Sequence, residues 1–66
     1  MWQPLIGEYA GRVWQVLKEK SPQNLAALEK ATSLKEQWLY LALGWLARED
    51  KVAFEEKGQT VMISLK

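Results

Sequence analysis

Sixty-six residues, 48% of them apolar and four of them Trp, carry a net charge of +1 and leave room for one domain with one small core. The chain contains neither Cys nor His, which excludes disulfides, thiolate or imidazole metal sites, and the triads and dyads that use those groups. Nine basic and eight acidic residues are interspersed, unlike the strongly basic modules that bind nucleic acid by charge alone.

Met1-Trp2-Gln3-Pro4 lacks the basic flank and apolar core of a signal peptide. No apolar run approaches the length of a membrane span. With no cysteine, the expected compartment is a bacterial-type cytoplasm. A first helix is predicted over 5–19, where Leu5, Ile6, Ala10, Val13, Trp14 and Leu17 recur at three- and four-residue spacing. Pro4 suits its first turn because the missing N–H has no intrahelical partner there. Gly7 and Gly11 share one face; they either admit a close neighbour or are simply tolerated, at about 1 kcal/mol each relative to Ala.

Lys20-Ser21-Pro22-Gln23 breaks the pattern. A short second helix is predicted over 23–31, capped by Ser21 or Asn24, with Leu25 and Leu28 facing inward. Thr32-Ser33 forms the turn, and a third helix runs from Leu34 to Arg48, with Ser33 and Glu36 spaced as a capping box. The period then changes from near four to two. Val52 and Phe54 alternate with polar residues, Glu55-Glu56-Lys57-Gly58-Gln59 turns, and Val61, Ile63 and Leu65 alternate again. This predicts a two-stranded hairpin with one apolar face on the helices.

Three helices followed by a hairpin, with a short second helix and a tight turn before the third, is the order of winged helix-turn-helix domains. Leu34, Leu39, Leu43 and Leu46 fall where such domains keep core residues, and Arg48-Glu49-Asp50-Lys51-Val52 resembles the entry into the wing. More narrowly, Gly7-Glu8, Ala10-Gly11-Arg12-Val13-Trp14 and the run from Tyr40 to Glu49 resemble a family of short, stand-alone, uncharacterised bacterial and archaeal winged-helix proteins. The resemblance covers nearly the whole chain. It implies an α+β, mainly α, fold, one domain over 1–66 and a dimer, and it supplies no established activity. The chain departs from the pattern at Lys35 and Trp38, where a capping Ser and an acidic residue are expected.

In a helix-turn-helix that reads DNA, the outer face of the second motif helix enters the major groove. With Leu39, Leu43 and Leu46 facing the core, the expected outward positions are Gln37, Trp38, Leu41, Ala42, Trp45 and Arg48. A base reader wants Arg, Lys, Asn, Gln or Ser there. Trp38, Leu41 and Trp45 instead form a second apolar stripe at i, i+3 and i+7. So small a chain has little protein to cover that stripe, and Trp and Tyr are enriched at interface hot spots. The expected arrangement is a symmetric homodimer through Trp38, Leu41, Ala42 and Trp45, helped by Trp2 or the first helix. The other arrangement is a monomer in which one or both indoles fold under the wing or against the first helix.

The wing turn carries Glu55 and Glu56 against Lys57, which repels phosphate. Lys18, Lys20, Lys30 and Lys35 around the motif corner, with Gln37 and Arg48, are the candidate nucleic-acid contacts. The carboxylates lie in no apolar setting that suits acid–base work, and no phosphate loop or nucleophile motif is present. No enzyme activity, cofactor, metal or small-molecule ligand is expected. Two readings follow: a dimerisation or protein-interaction module built on the third helix, or a small DNA-binding transcriptional regulator.

Overall fold

The computed structural model describes residues 2–66; Met1, part of the segment read for targeting signals, lies outside them. Helix α1 spans Gln3–Glu19, with Pro4 in its first turn. It buries Ala10, Val13 and Leu17, which are spaced at i, i+3 and i+7 along one face. Lys20 adopts extended backbone, φ −152° and ψ 101°, and its N–H closes the helix on the Val16 carbonyl. Gly7 and Gly11 have no heavy atom within 4 Å of where a Cβ would stand, so neither exists to admit a neighbour from within the chain.

Strand β1 is only Gln23–Asn24, and it leads without a break into α2, Leu25–Thr32. Asn24 does two jobs: it pairs with Met62, and its side chain accepts a 2.8 Å hydrogen bond from the Ala27 N–H, capping the orphan donors of α2. Of the two candidate caps, Asn24 is therefore the one used. Ser21 instead accepts from the Leu65 N–H at 3.2 Å, tying the segment before β1 to the last strand.

Helix α3 spans Glu36–Arg48, two residues later than expected. Ser33 is not its cap. It ends α2 in the left-handed region at φ 59°, its N–H on the Glu29 carbonyl. The residue in capping position is Lys35, which has no acceptor to offer, and no side chain caps α3. The far end closes as a Schellman motif: Asp50 sits at φ 60°, its N–H bonds Ala47, and the Lys51 N–H reaches back to Leu46.

Strands β2, Val52–Lys57, and β3, Thr60–Leu65, form the wing hairpin. Its turn is two residues, Gly58-Gln59, rather than five, with Gly58 at φ 61°; a first turn position at positive φ favours Gly. The sheet is three-stranded, order β1-β3-β2 and antiparallel throughout, not the two-stranded hairpin expected. The extra strand is too short to leave a period in the sequence.

The helices and one face of the sheet enclose a single core. It consists of Ala10, Val13, Leu17, Leu28, Leu34, Leu39, Ala42, Leu43, Leu46, Val52 and Ile63. Leu25 packs against it half-buried. Each large aliphatic side chain withdrawn completely from water contributes about 1.5–3 kcal/mol, and Val13, Leu17, Leu28, Leu39 and Ile63 are all withdrawn in this way. Phe54 lies opposite Ile63 in the ladder and so shares its face, yet Phe54 is 49% exposed on the edge strand β2.

Candidate functional site: the outer face of the third helix

The three residues Ser33, Leu34 and Lys35 turn the chain from α2 into α3. Leu34 is buried in that turn and anchors it. Thr32, the buried polar residue, donates its hydroxyl to the Leu28 carbonyl at 2.6 Å and accepts from the Leu34 N–H at 3.3 Å. Its carbonyl accepts from the Arg12 guanidinium at 3.1 Å, linking the turn to α1. No motif signalled this network, because a Thr beside a Ser reads equally well as an exposed turn. The angle at which α3 leaves α2 is held by these bonds rather than by a cap.

Inward, α3 presents Leu39, Ala42, Leu43 and Leu46, all buried. Ala42 was expected on the outer face and is instead 0% exposed. It stands three residues after Leu39 and four before Leu46, so the helical period places it on the same face as both. It cannot serve as an interface residue.

Trp38 is half-buried. Its indole meets Tyr9 of α1 edge-on at 5.4 Å and Trp2 at 5.3 Å, both favourable aromatic geometries. The expected stripe is thus divided: Tyr9 of α1 and Trp2 before it cover part of Trp38, leaving Leu41 at 37% and Trp45 at 44% exposure. Tyr40, not singled out from the sequence, joins them at 48%. Its position one residue after Leu39 disguised it as part of an apolar run.

The middle row of the outer face is Gln37, Leu41, Gly44 and Arg48, at i, i+4, i+7 and i+11, all exposed. An open depression lies over Gly44, walled by Trp45, Arg48 and Glu49. No heavy atom comes within 4 Å of the missing Cβ. Packing inside the chain therefore gives no reason for a glycine here, although it costs an exposed helix interior about 1 kcal/mol relative to Ala.

The candidate nucleic-acid residues Lys18, Lys20, Lys30, Lys35, Gln37 and Arg48 are all exposed. Lys18, Lys30 and Arg48 occupy the last turns of α1, α2 and α3, where cations balance the unpaired carbonyls. The Lys18 ammonium lies 4.7 Å from the centre of the Trp14 ring, with Lys51 at 5.9 Å. Trp14 thus draws Lys18 toward the entrance of the wing. In the wing, Glu55 and Glu56 face solvent as part of β2 rather than of the turn. Among the described residues, no group of three or more acidic, His or Cys side chains could hold a metal ion. Among the same residues, no helix is long and apolar enough to cross a membrane.

Three helices, a three-residue turn between α2 and α3, and a β-hairpin following α3 define a winged helix-turn-helix domain. The chain belongs to the family described as winged helix-turn-helix domain (DUF2582), whose model matches residues 1–65. It is 34% identical to the uncharacterised protein MJ1608 of Methanocaldococcus jannaschii, over 100% of this chain and 96% of that one. It is also similar to the solution NMR structure of protein BT2368 from Bacteroides thetaiotaomicron. That likeness has a TM-score of 0.90 at 35% identity and covers 98% of this chain and 79% of the other.

Proposed function

We propose that this chain is a non-enzymatic interaction module that self-associates through the outer face of α3. The observation that carries the reading is the exposure of Tyr40, Leu41 and Trp45 on α3, with Trp45 also walling the open surface at Gly44. Three large apolar side chains exposed on one short helix mark a protein contact, and Trp and Tyr supply the anchors such contacts use. A groove reader would place hydrogen-bonding side chains there instead.

A dilution series followed by amide chemical shifts tests the reading. Concentration-dependent shifts concentrated in residues 37–48 are expected. Shifts confined to the sheet, or none at all, would overturn it.

A second reading, a small DNA-binding regulator, is favoured by the fold and by one specific observation. Gln37 and Arg48 both stand exposed on the outer row of α3, where a major-groove helix would carry its base contacts. The fold-level part of that warrant is analogy, and two polar residues flanking Leu41 and Gly44 make a thin reading surface.

A further inference from the structure

This inference rests on the self-association reading of α3 and adds its partner geometry. We propose that the partner is a second copy whose α3 runs antiparallel to the first, with Leu41 of each copy seated over Gly44 of the other.

Leu41 and Gly44 are three residues apart on one exposed row, so the same helix offers both a knob and a hollow. A two-fold axis perpendicular to both helices, passing between these positions, brings knob to hollow twice, as an isologous interface requires. The hollow is already open: nothing in the chain lies within 4 Å of a Cβ at Gly44, and Trp45, Arg48 and Glu49 wall it. The missing side chain lets two helix backbones approach closely. Gly44 differs from the equally open Gly11 in standing on a row with the exposed Leu41, beside Trp45, where a neighbour from outside would use the space.

Charge points to the same orientation. Glu36 opens α3 and Arg48 closes it, so antiparallel pairing sets each Arg48 opposite the Gln37 of the other copy, with Glu36 one residue before it and to the side of the row. A parallel pairing would set Arg48 against Arg48 and Glu36 against Glu36. Trp45 flanks the crossing on one side of the row and Tyr40 on the other, covering the Leu41–Gly44 contact from water in the manner of a hot-spot surround.

The experiment is sedimentation equilibrium on the full chain and five variants, with far-UV circular dichroism as the control for folding. Gly44→Leu puts a side chain into the hollow at a position where a Cβ has open space, and is expected to weaken association at least tenfold while helix content is retained. Gly44→Ala should weaken it by less. Arg48→Glu should weaken association several-fold through repulsion by the nearby Glu36, and the double variant E36R/R48E should restore it to near wild type.

Wild-type association by Gly44→Leu, or a double reversal as weak as R48E alone, would overturn the antiparallel register. If Trp45→Glu still yields monomers in that case, the α3 reading stands and only the register falls. A wild-type chain that is monomeric throughout, or a dimer indifferent to Trp45→Glu, overturns both.

Discussion

The indole of Trp38 meets the Tyr9 ring edge-on, with centroids 5.4 Å apart and planes inclined by 72°. This contact separates two tryptophans that lie seven residues apart on one helix. Trp38 belongs to the junction of α1 and α3, whereas Trp45, beyond the reach of Tyr9 and Trp2, belongs to the surface. Trp38→Ala is expected to destabilise the fold by about 2 kcal/mol, below the 3–5 kcal/mol typical of a fully buried Trp because this ring is half-buried. Urea unfolding checks this; a loss under 0.5 kcal/mol would mean the ring cluster contributes little.

Much of this architecture is legible in the residues themselves. The inward row of α3 announces itself because leucines at 39, 43 and 46 repeat with the helical period, and the wing because apolar residues alternate at 61, 63 and 65. Ala42 was misplaced because a methyl group carries no strong polarity signal on either face. β1 was missed because two polar residues make no pattern; only the ladder to Ile63 and Met62 defines it. Ser33 was misread for a physical reason too: Ser serves as an N-cap more often than it adopts a left-handed φ, and Glu36 three residues on completed the cap signature. The patch on α3 was visible as excess apolarity, but which of its aromatics α1 covers depends on the packing angle between helices.

The uncapped start of α3 makes a direct prediction. Lys35 stands in the capping position with φ −67° and ψ 156° and offers no acceptor. Lys35→Ser supplies one and should stabilise the chain by about 1 kcal/mol. Thermal unfolding reads this as a rise of roughly 4–8 °C for a domain of this size.

Ser33 at φ 59° is a non-glycine residue in the left-handed region, a conformation costing roughly 1–2 kcal/mol for most L-residues. The same substitution also loosens the unfolded chain, so Ser33→Gly should give a net gain of about 0.5 kcal/mol. A destabilised variant in chemical denaturation would show that the Ser33 side chain contributes something the geometry does not reveal.

Gly11 is exposed on α1 with open space around it. Gly11→Ala should stabilise by about 1 kcal/mol through helix propensity alone and leave the association constant unchanged. Gly44→Ala carries the same propensity gain on α3 but should weaken association. The contrast between the two, measured side by side, separates a tolerated glycine from one kept for a neighbour.

For DNA, the expected result is little binding at any salt concentration, since the charge is nearly balanced and Lys18 is drawn to Trp14. Titration of duplex DNA by fluorescence anisotropy across a salt series checks this. A true groove binder loses about one log unit of affinity per phosphate contact for each log of salt, and such a slope would favour the regulator reading.

The most direct test is solution mass by light scattering, for the wild-type chain and for Trp45→Glu, over a wide concentration range. Self-association through α3 predicts a wild-type mass approaching twice the 7.6 kDa chain and a folded Trp45→Glu monomer. A wild-type chain that remains at 7.6 kDa throughout, or a variant that dimerises as well as the parent, would contradict it.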